Sequence, residues 1–506
     1  MKGYSIKNIK SFKDEARVEI KPITIFVGKN SSGKSSLVRF PVVISQSMNS
    51  DADIPIMFLG KNLDYGNYED VVFGHKKRGA IEFSVEYDCV PEMFYYGVSR
   101  NNQYYKRFSK QSSICYRVGI TKYSRKMIVD KCDIEIDNIN CISISRLQNE
   151  KYTVTITDIV NAEHTLTFYP RHLKFYKFIP LLYVENIFDQ LLDAFCENAK
   201  VTERDKKRLK GNKKKVLERK FYQEKQDVFV MDEIENQFNE FVQLMEFYSA
   251  ILLSSRGQAI QDAADTYYIG PFRENPSRVY RDAERQVDSV GARGEEVSSM
   301  LKADFSHGKK VISGVSKWLE KAMNYKLTLK DIGSGLYNIV VEKEDGSQDN
   351  LIDVGYGISQ VLPIVAQLIK MRVQSKRGLY SLRERRENTF IVEQPELHLH
   401  PEAQAELANL FVDAIAANDS SNTISVLIET HSEHFIRRLQ ALIANKDIAI
   451  TNKDVKIYYV DKNTNNEAYI SEMVIDTNGQ FKTEWPSGFF DKAYELSMEL
   501  LKNNYN

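Results

Sequence analysis

Cysteine is scarce in this chain of 506 residues: Cys89, Cys115, Cys132, Cys141 and Cys196 are odd in number, none sits in a CxxC pair, and no histidine cluster lies beside them. A disulfide framework and a zinc site are excluded as organising devices, and the expectation is reduced thiols in a cytoplasmic protein. No apolar run reaches the ~18–20 residues of a membrane span. The opening MKGYSIKNIKSFKDEARVEI lacks the apolar core of a secretory signal. Charge of one sign is missing too, since 69 Lys and Arg balance 69 Asp and Glu. Coating of nucleic acid through bulk charge is therefore excluded, and only local patches remain. No internal repeat of fixed period is present. What is there, 42% hydrophobic and 27% charged residues, is globular and long enough for two to four domains.

Along the chain, YSIKNI and ARVEI read as a short antiparallel pair and Ile23–Val27 as a buried strand. A Gly/Ser-rich loop follows, then a helix from Ser35 that Pro41 is expected to interrupt or kink. Residues 80–169 alternate as strands, and residues 172–264 turn to helical periodicity. Beyond Tyr267, strands alternate with helices, as in a mostly parallel sheet with helices on both faces. The expected fold class is α/β, with a mixed, mostly parallel sheet flanked by helices and interrupted by a β-rich and then a helical insertion. The expected divisions are a first lobe at 1–85, a β-rich insertion at 86–170, a helical insertion at 171–264, a second lobe at 265–470 and a short C-terminal segment at 471–506.

Gly28-Lys29-Asn30-Ser31-Ser32-Gly33-Lys34-Ser35 fits G-x-x-x-x-G-K-[ST] without a mismatch, between a hydrophobic strand and a helix. Glycines let backbone N–H groups turn inward around phosphate oxygens, and the helix N-terminus through Ser36 adds partial positive charge. Lys34 reaches the β- and γ-phosphates of ATP, and Ser35 offers its hydroxyl to Mg²⁺.

Far downstream, Phe390–Pro401 (FIVEQPELHLHP) reads as a strand ending in acids. An acid at the carboxyl end of a parallel strand beside a phosphate loop suits Mg²⁺, and Glu393 is the expected ligand with Ser35. Ile424–His434 (ISVLIETHSEH) is a further strand with a helix N-cap at Ser432. His431 there suits a hydrogen bond to a γ-phosphate or an attacking water. His398, His400 and His434 are read as packing or capping residues.

In this order, the motifs resemble the ABC-type ATPases of the OLD and SMC-like class. Residues Asp353–Gln360 (DVGYGISQ) resemble that class's signature loop. By this resemblance Gly357 and Ser359 act in trans on the nucleotide of a second subunit, which implies a homodimer or higher oligomer. The resemblance spans roughly residues 1–80 and 265–506. Its last stretch, IDTNGQFKTEWPSGFFD, resembles a short C-terminal domain of unknown function, with Trp485, Phe489 and Phe490 packing on the ATPase. The subgroup includes ATPase subunits of bacterial anti-phage systems, PtuA-like in Septu and retron systems and AriA-like in PARIS. The implied role is scaffold or sensor for a separate nuclease or toxin effector. No acidic constellation for nucleic-acid cleavage is found after His431. Arg273 in YIGPFRE reads as an ATP-site or interface arginine, the interface preferred, or equally as the partner of a carboxylate.

Residues 200–225 hold twelve Lys and Arg against four Asp and Glu. They read equally as a phosphate-backbone contact for nucleic acid or as a solvated hairpin tip. If their flanking helices reached about 40 residues, they would project an arm of about 60 Å. Two rival functions stay open: a DNA-repair or DNA-end ATPase, and an ATP-dependent scaffold without turnover.

One departure from the family pattern carries a consequence. Where such ATPases place a general-base glutamate, this chain has Gln394. An amide takes no proton at neutral pH but still orients a water. The isolated protein is expected to turn over ATP far below about 10 s⁻¹, and Gln394→Glu to raise the rate. Phosphate release at a rate unchanged by that substitution would contradict the role.

Overall fold

The computed structural model describes residues 1–76, 79–89, 112–148, 150–157, 163–168, 173–211, 233–375, 386–418, 422–483 and 498–499. The chain divides into two compact units. The first comprises Met1–Val18, Ile44–Phe58 and Gly66–Ala264, and the second Glu19–Val43, Leu59–Tyr65 and Asp265–Asn506.

In the first unit, alternation of polar and apolar residues builds an eight-stranded sheet. Its spatial order is Ala16–Glu19, Gly3–Lys7, Ile81–Cys89, Ser112–Tyr123, Lys126–Ile136, Ile139–Arg146, Tyr152–Thr157 and Glu163–Phe168. From Gly3–Lys7 onward every pairing is antiparallel. The helix Glu233–Ala264 is buried along its length at Phe238, Met245, Tyr248 and Leu252. Tyr248 Oη fastens it to the sheet by donating to the Thr157 carbonyl at 2.9 Å, and the Tyr116 and Ser255 hydroxyls bond each other. Phe188 and Phe195 of the helix Val184–Asn198 pack on Phe238. Gly3–Lys7 joins the β-rich segment through Ile81–Cys89, and the described helix Glu233–Ala264 packs on that sheet. An apolar helix face of this length is stabilised by burial against a sheet and not by exposure.

The second unit is built on a six-stranded sheet whose strands are labelled in chain order. They are β1 (Ile23–Gly28), β2 (Thr266–Ile269), β3 (Arg386–Glu393), β4 (Asn422–Glu429), β5 (Val455–Lys462) and β6 (Ala468–Glu472), in the spatial order β2-β3-β4-β1-β5-β6. Neighbours are parallel except the antiparallel pair β5 and β6. β1 is apolar at four of six positions and buried throughout, as a strand covered on both faces must be. This unit has the expected α/β class, a mixed, mostly parallel sheet flanked by helices.

Its helices are α1 (Lys34–Met48), α2 (Val297–Ser306), α3 (Lys310–Met323), α4 (Tyr356–Ser375), α5 (Pro401–Ala416) and α6 (Glu433–Ala444). Pro41, expected to interrupt or kink the helix, lies inside α1 without interrupting it. The missing N–H costs one backbone bond, and burial of Phe40, Val42 and Val43 offsets it. The antiparallel strands Tyr280–Arg281, Lys326–Gly333 and Leu336–Glu342 form a separate sheet.

Three rings tie the main sheet to its helices. Phe411 of α5 stacks on Phe390 of β3 at 6.4 Å and meets Phe435 of α6 edge-on at 5.8 Å. All three are at most 1% exposed. Phe411→Ala is expected to cost about 3–5 kcal/mol, read by denaturant unfolding, and a loss below about 1 kcal/mol would show that the site collapses around the cavity.

Candidate nucleotide site

β1 runs directly into the glycine loop. Gly28 has φ 145°, and a Cβ there would stand 2.1 Å from the Val460 carbonyl oxygen of β5, so only glycine fits. Positive φ at Ser31 (60°) and Gly33 (114°) turns the loop back onto the head of α1. Lys29, Asn30 and Ser31 are exposed, while Ser32 and Lys34 are buried. Lys29 Nζ stands 3.4 Å from Asp461. Lys34 Nζ donates to the carbonyls of Gly28 at 3.0 Å and Lys29 at 2.6 Å. Burial lowers the Lys34 pKa, against the pull of Glu429. The Ser32 hydroxyl is buried without a partner. Ser36 N bonds the Gly33 carbonyl at 3.0 Å, closing the first turn. A ring of backbone amides heads a helix, with one ammonium bonded to two carbonyl oxygens; this suits the phosphates of a nucleotide.

Two acids stand level at the carboxyl ends of neighbouring strands, since Glu393 of β3 pairs in register with Glu429 of β4. Glu393, expected at the cation, is turned to other partners. Arg39 grips it with Nε to Oε1 at 2.7 Å and Nη2 to Oε2 at 2.8 Å. Tyr268 Oη of β2 also donates to Oε1, at 2.6 Å. Burial works against the Arg39 charge, but the bond and charge of Glu393 outweigh it and raise its pKa. The carboxylate that meets Ser35 is instead Glu429, whose Oε1 accepts the Ser35 hydroxyl at 3.1 Å. Burial, and then the charge of Glu393, push Glu429 up to about 7. Its Oε2 is buried without a partner. A buried carboxylate oxygen left open beside the loop serine fits Mg²⁺, a cation that takes oxygen ligands.

Gln394 adopts φ 45°, unusual outside glycine. Its N–H donates to the Glu429 carbonyl at 2.7 Å. Arg273 Nη1 donates to the Gln394 carbonyl at 3.1 Å and Nη2 to the Glu393 carbonyl. Arg273, expected at an interface, is thus 6% exposed and splints the end of β3. Burial, opposed by Glu396 and Glu393, lowers it to about 10. Glu396 accepts the His431 N–H at 2.8 Å. His431 is pushed down to about 4 by burial, then by Lys34. Ser432 caps α6 through Phe435 N at 3.0 Å.

The structure therefore gathers Lys34, Ser35, Glu429, Glu393 and Gln394 around one sheet end. Gly357 and Ser359 lie in the first turn of α4. A Cβ on Gly357 would stand 2.8 Å from the His398 carbonyl, so this turn packs on the segment after β3. Ser359 Oγ donates to the Tyr356 carbonyl at 2.9 Å. Among the described residues, no group of three or more His, Cys, Asp or Glu is arranged to hold a metal ion. Of the basic run, Lys206, Arg208 and Lys210 pair with Asp193, Glu235 and Asp189, while residues 212–225 lie outside the described residues. So do Trp485, Phe489 and Phe490. Sequence reasoning missed Glu429, Arg39 and Tyr268. Glu429 was visible by the rule that chose Glu393, an acid ending a parallel strand, and Arg39 by its place four residues after Ser35 on one helix face.

This fold and site define a phosphate-loop ATPase. The AAA ATPase domain family matches residues 1–436, and the chain belongs to that family. Residues 450–500 match DUF3696, a protein family of unknown function. No curated protein matches the sequence. Among solved structures, an Smc head bound to the C-winged helix domain of ScpA is 10% identical, with 94% of this chain and 97% of that one covered and a TM-score of 0.40. An Smc head with an extended coiled coil from Pyrococcus furiosus, bound to the C-terminal domain of ScpA, is 12% identical over 100% and 99%, with a TM-score of 0.37. The SMC head of Thermotoga maritima is 7% identical over 93% and 98%, with a TM-score of 0.31. Among the described residues no helix is long and apolar enough to cross a membrane.

The low His431 pKa has a pH consequence. The unfolded chain takes up this proton near its ordinary 6.5, whereas the fold resists it until about 4. Stability from this group is complete above 6.5 and is lost as pH falls toward 4. In an NMR titration the His431 ring is expected to stay neutral at pH 5.5, and a midpoint near 6.5 would contradict the burial argument.

Proposed function

We propose that this AAA-family ATPase binds ATP with Mg²⁺, hydrolyses it slowly, assembles through its nucleotide sites and controls a separate nuclease or toxin effector in anti-phage defence. The observation that carries the reading is the Gly28–Ser35 loop heading α1, with Ser35 bonded to Glu429 and Arg39 to Glu393. Lys34 exchanges its two carbonyl partners for phosphate oxygens. Ser35 and a strand-end acid hold Mg²⁺, which when bound neutralises charge on the β- and γ-phosphates. Gln394, fixed by Glu429 and Arg273, orients the attacking water, and neutral His431 serves as a hydrogen-bonding partner there. Gly357 and Ser359 meet the nucleotide of a second copy. In this reading the first unit is an insertion module, and the effector is a different chain.

Native mass spectrometry of the purified chain is expected to show a higher oligomer with Mg²⁺-ATP than without. Lys34→Ala is expected to abolish both the shift and protection of bacteria in a phage plating assay. An unchanged mass with ATP would remove the assembly claim, and full protection by Lys34→Ala would remove the defence role.

A further inference from the structure

The site contains two carboxylates where one is expected, and their surroundings differ. β4 lies between β3 and β1, so Glu429 pairs with Phe26 of β1 on one side and with Glu393 on the other. At about 4.8 Å per strand, Glu429 is one strand from the root of the phosphate loop and Glu393 is two. Helix α1 repeats the same offset. Ser35 and Arg39 are four residues apart on one face, a rise of about 6 Å. Two rungs result. Ser35–Glu429 lies at the mouth of the loop, and Arg39–Glu393 lies one turn deeper.

The rungs are also unequal in what they leave open. Both oxygens of Glu393 are taken, by Arg39 and Tyr268, and its backbone carbonyl is held by Arg273. Freeing it for a cation would strand a half-buried arginine and a buried phenol. Glu429 keeps one oxygen buried and unpartnered and the other on the loop serine. A buried, unsatisfied carboxylate oxygen costs free energy unless a ligand completes it.

We infer that Glu429, at the end of β4, is the carboxylate that joins Ser35 in holding the nucleotide's divalent cation, and that Glu393 is a positioning residue clamped by Arg39 and Tyr268. This assignment rests on the ATP reading and deepens it. The cation-holding acid has moved one strand toward the loop, and the strand beyond it serves as a brace for α1. Gln394 also holds the end of β4, since its backbone N–H donates to the Glu429 carbonyl at 2.7 Å.

Mn²⁺ in place of Mg²⁺ gives a readout independent of turnover. Electron paramagnetic resonance counts Mn²⁺ bound to the full chain with a non-hydrolysable ATP analogue. Glu429→Gln keeps an acceptor for Ser35 but removes the charge, and is expected to weaken Mn²⁺ binding about 10–100-fold. Analogue binding in EDTA should remain. Glu393→Gln is expected to leave Mn²⁺ affinity within about twofold while lowering the melting temperature. Should either variant fail to fold, Glu429→Asp and Tyr268→Phe probe the same two carboxylates more gently. Unchanged Mn²⁺ affinity in the Glu429 variant, whatever the Glu393 variant does, overturns the assignment alone. A parent chain that binds neither the analogue nor Mn²⁺ overturns the ATP reading and this assignment with it.

Discussion

Glu393 is 1% exposed, and a carboxylate so deep in a sheet has to be neutralised where it stands. Arg39 does this with two parallel N–H bonds, the geometry that makes arginine–carboxylate pairs strong and directional. Breaking such a pair by removing one partner costs about 3–5 kcal/mol, mainly because the other charge is left buried. The pair joins residues 354 apart in sequence. It fixes the rotation and depth of α1 against β3, and so fixes where Lys34 and Ser35 stand at the head of that helix. The phosphate loop is thereby pre-formed and needs little ordering on binding.

Around this brace, charge is nearly balanced. Lys34, Arg39 and Arg273 face Glu393, Glu396 and Glu429, and burial shifts several of them. Burial lowers Lys34 and Arg273 and raises Glu396 and Glu429. Each of these charged forms is thus held at a cost that a polyanion with its cation would relieve, with phosphate satisfying Lys34 and a metal satisfying Glu429. The site is built as half of an electrostatic arrangement.

Much of this was legible in the sequence, for physical reasons that differ by element. The loop was readable because its positive-φ turns and close approach to β5 demand glycine at Gly28, and because Lys34 and Ser35 follow at fixed spacing. The parallel strands were readable as short apolar runs alternating with helices. The length of α1 was not, since Pro41 is disfavoured locally and tolerated only because its neighbours are buried. The union of the β-rich and helical segments was also hidden, because periodicity reveals an apolar face but not which surface covers it. The choice between Glu393 and Glu429 was hidden most deeply. It depends on strand order, on an arginine distant in the chain and on which oxygens are already taken, and none of these is written in a motif.

The most direct test is an anomalous difference map from crystals grown with Mn²⁺ and a non-hydrolysable ATP analogue. The account predicts one strong peak within coordination distance of Ser35 Oγ and the Glu429 carboxylate, with Arg39 still on Glu393. A peak on Glu393 with Arg39 displaced, or a nucleotide bound away from Lys34, would contradict it.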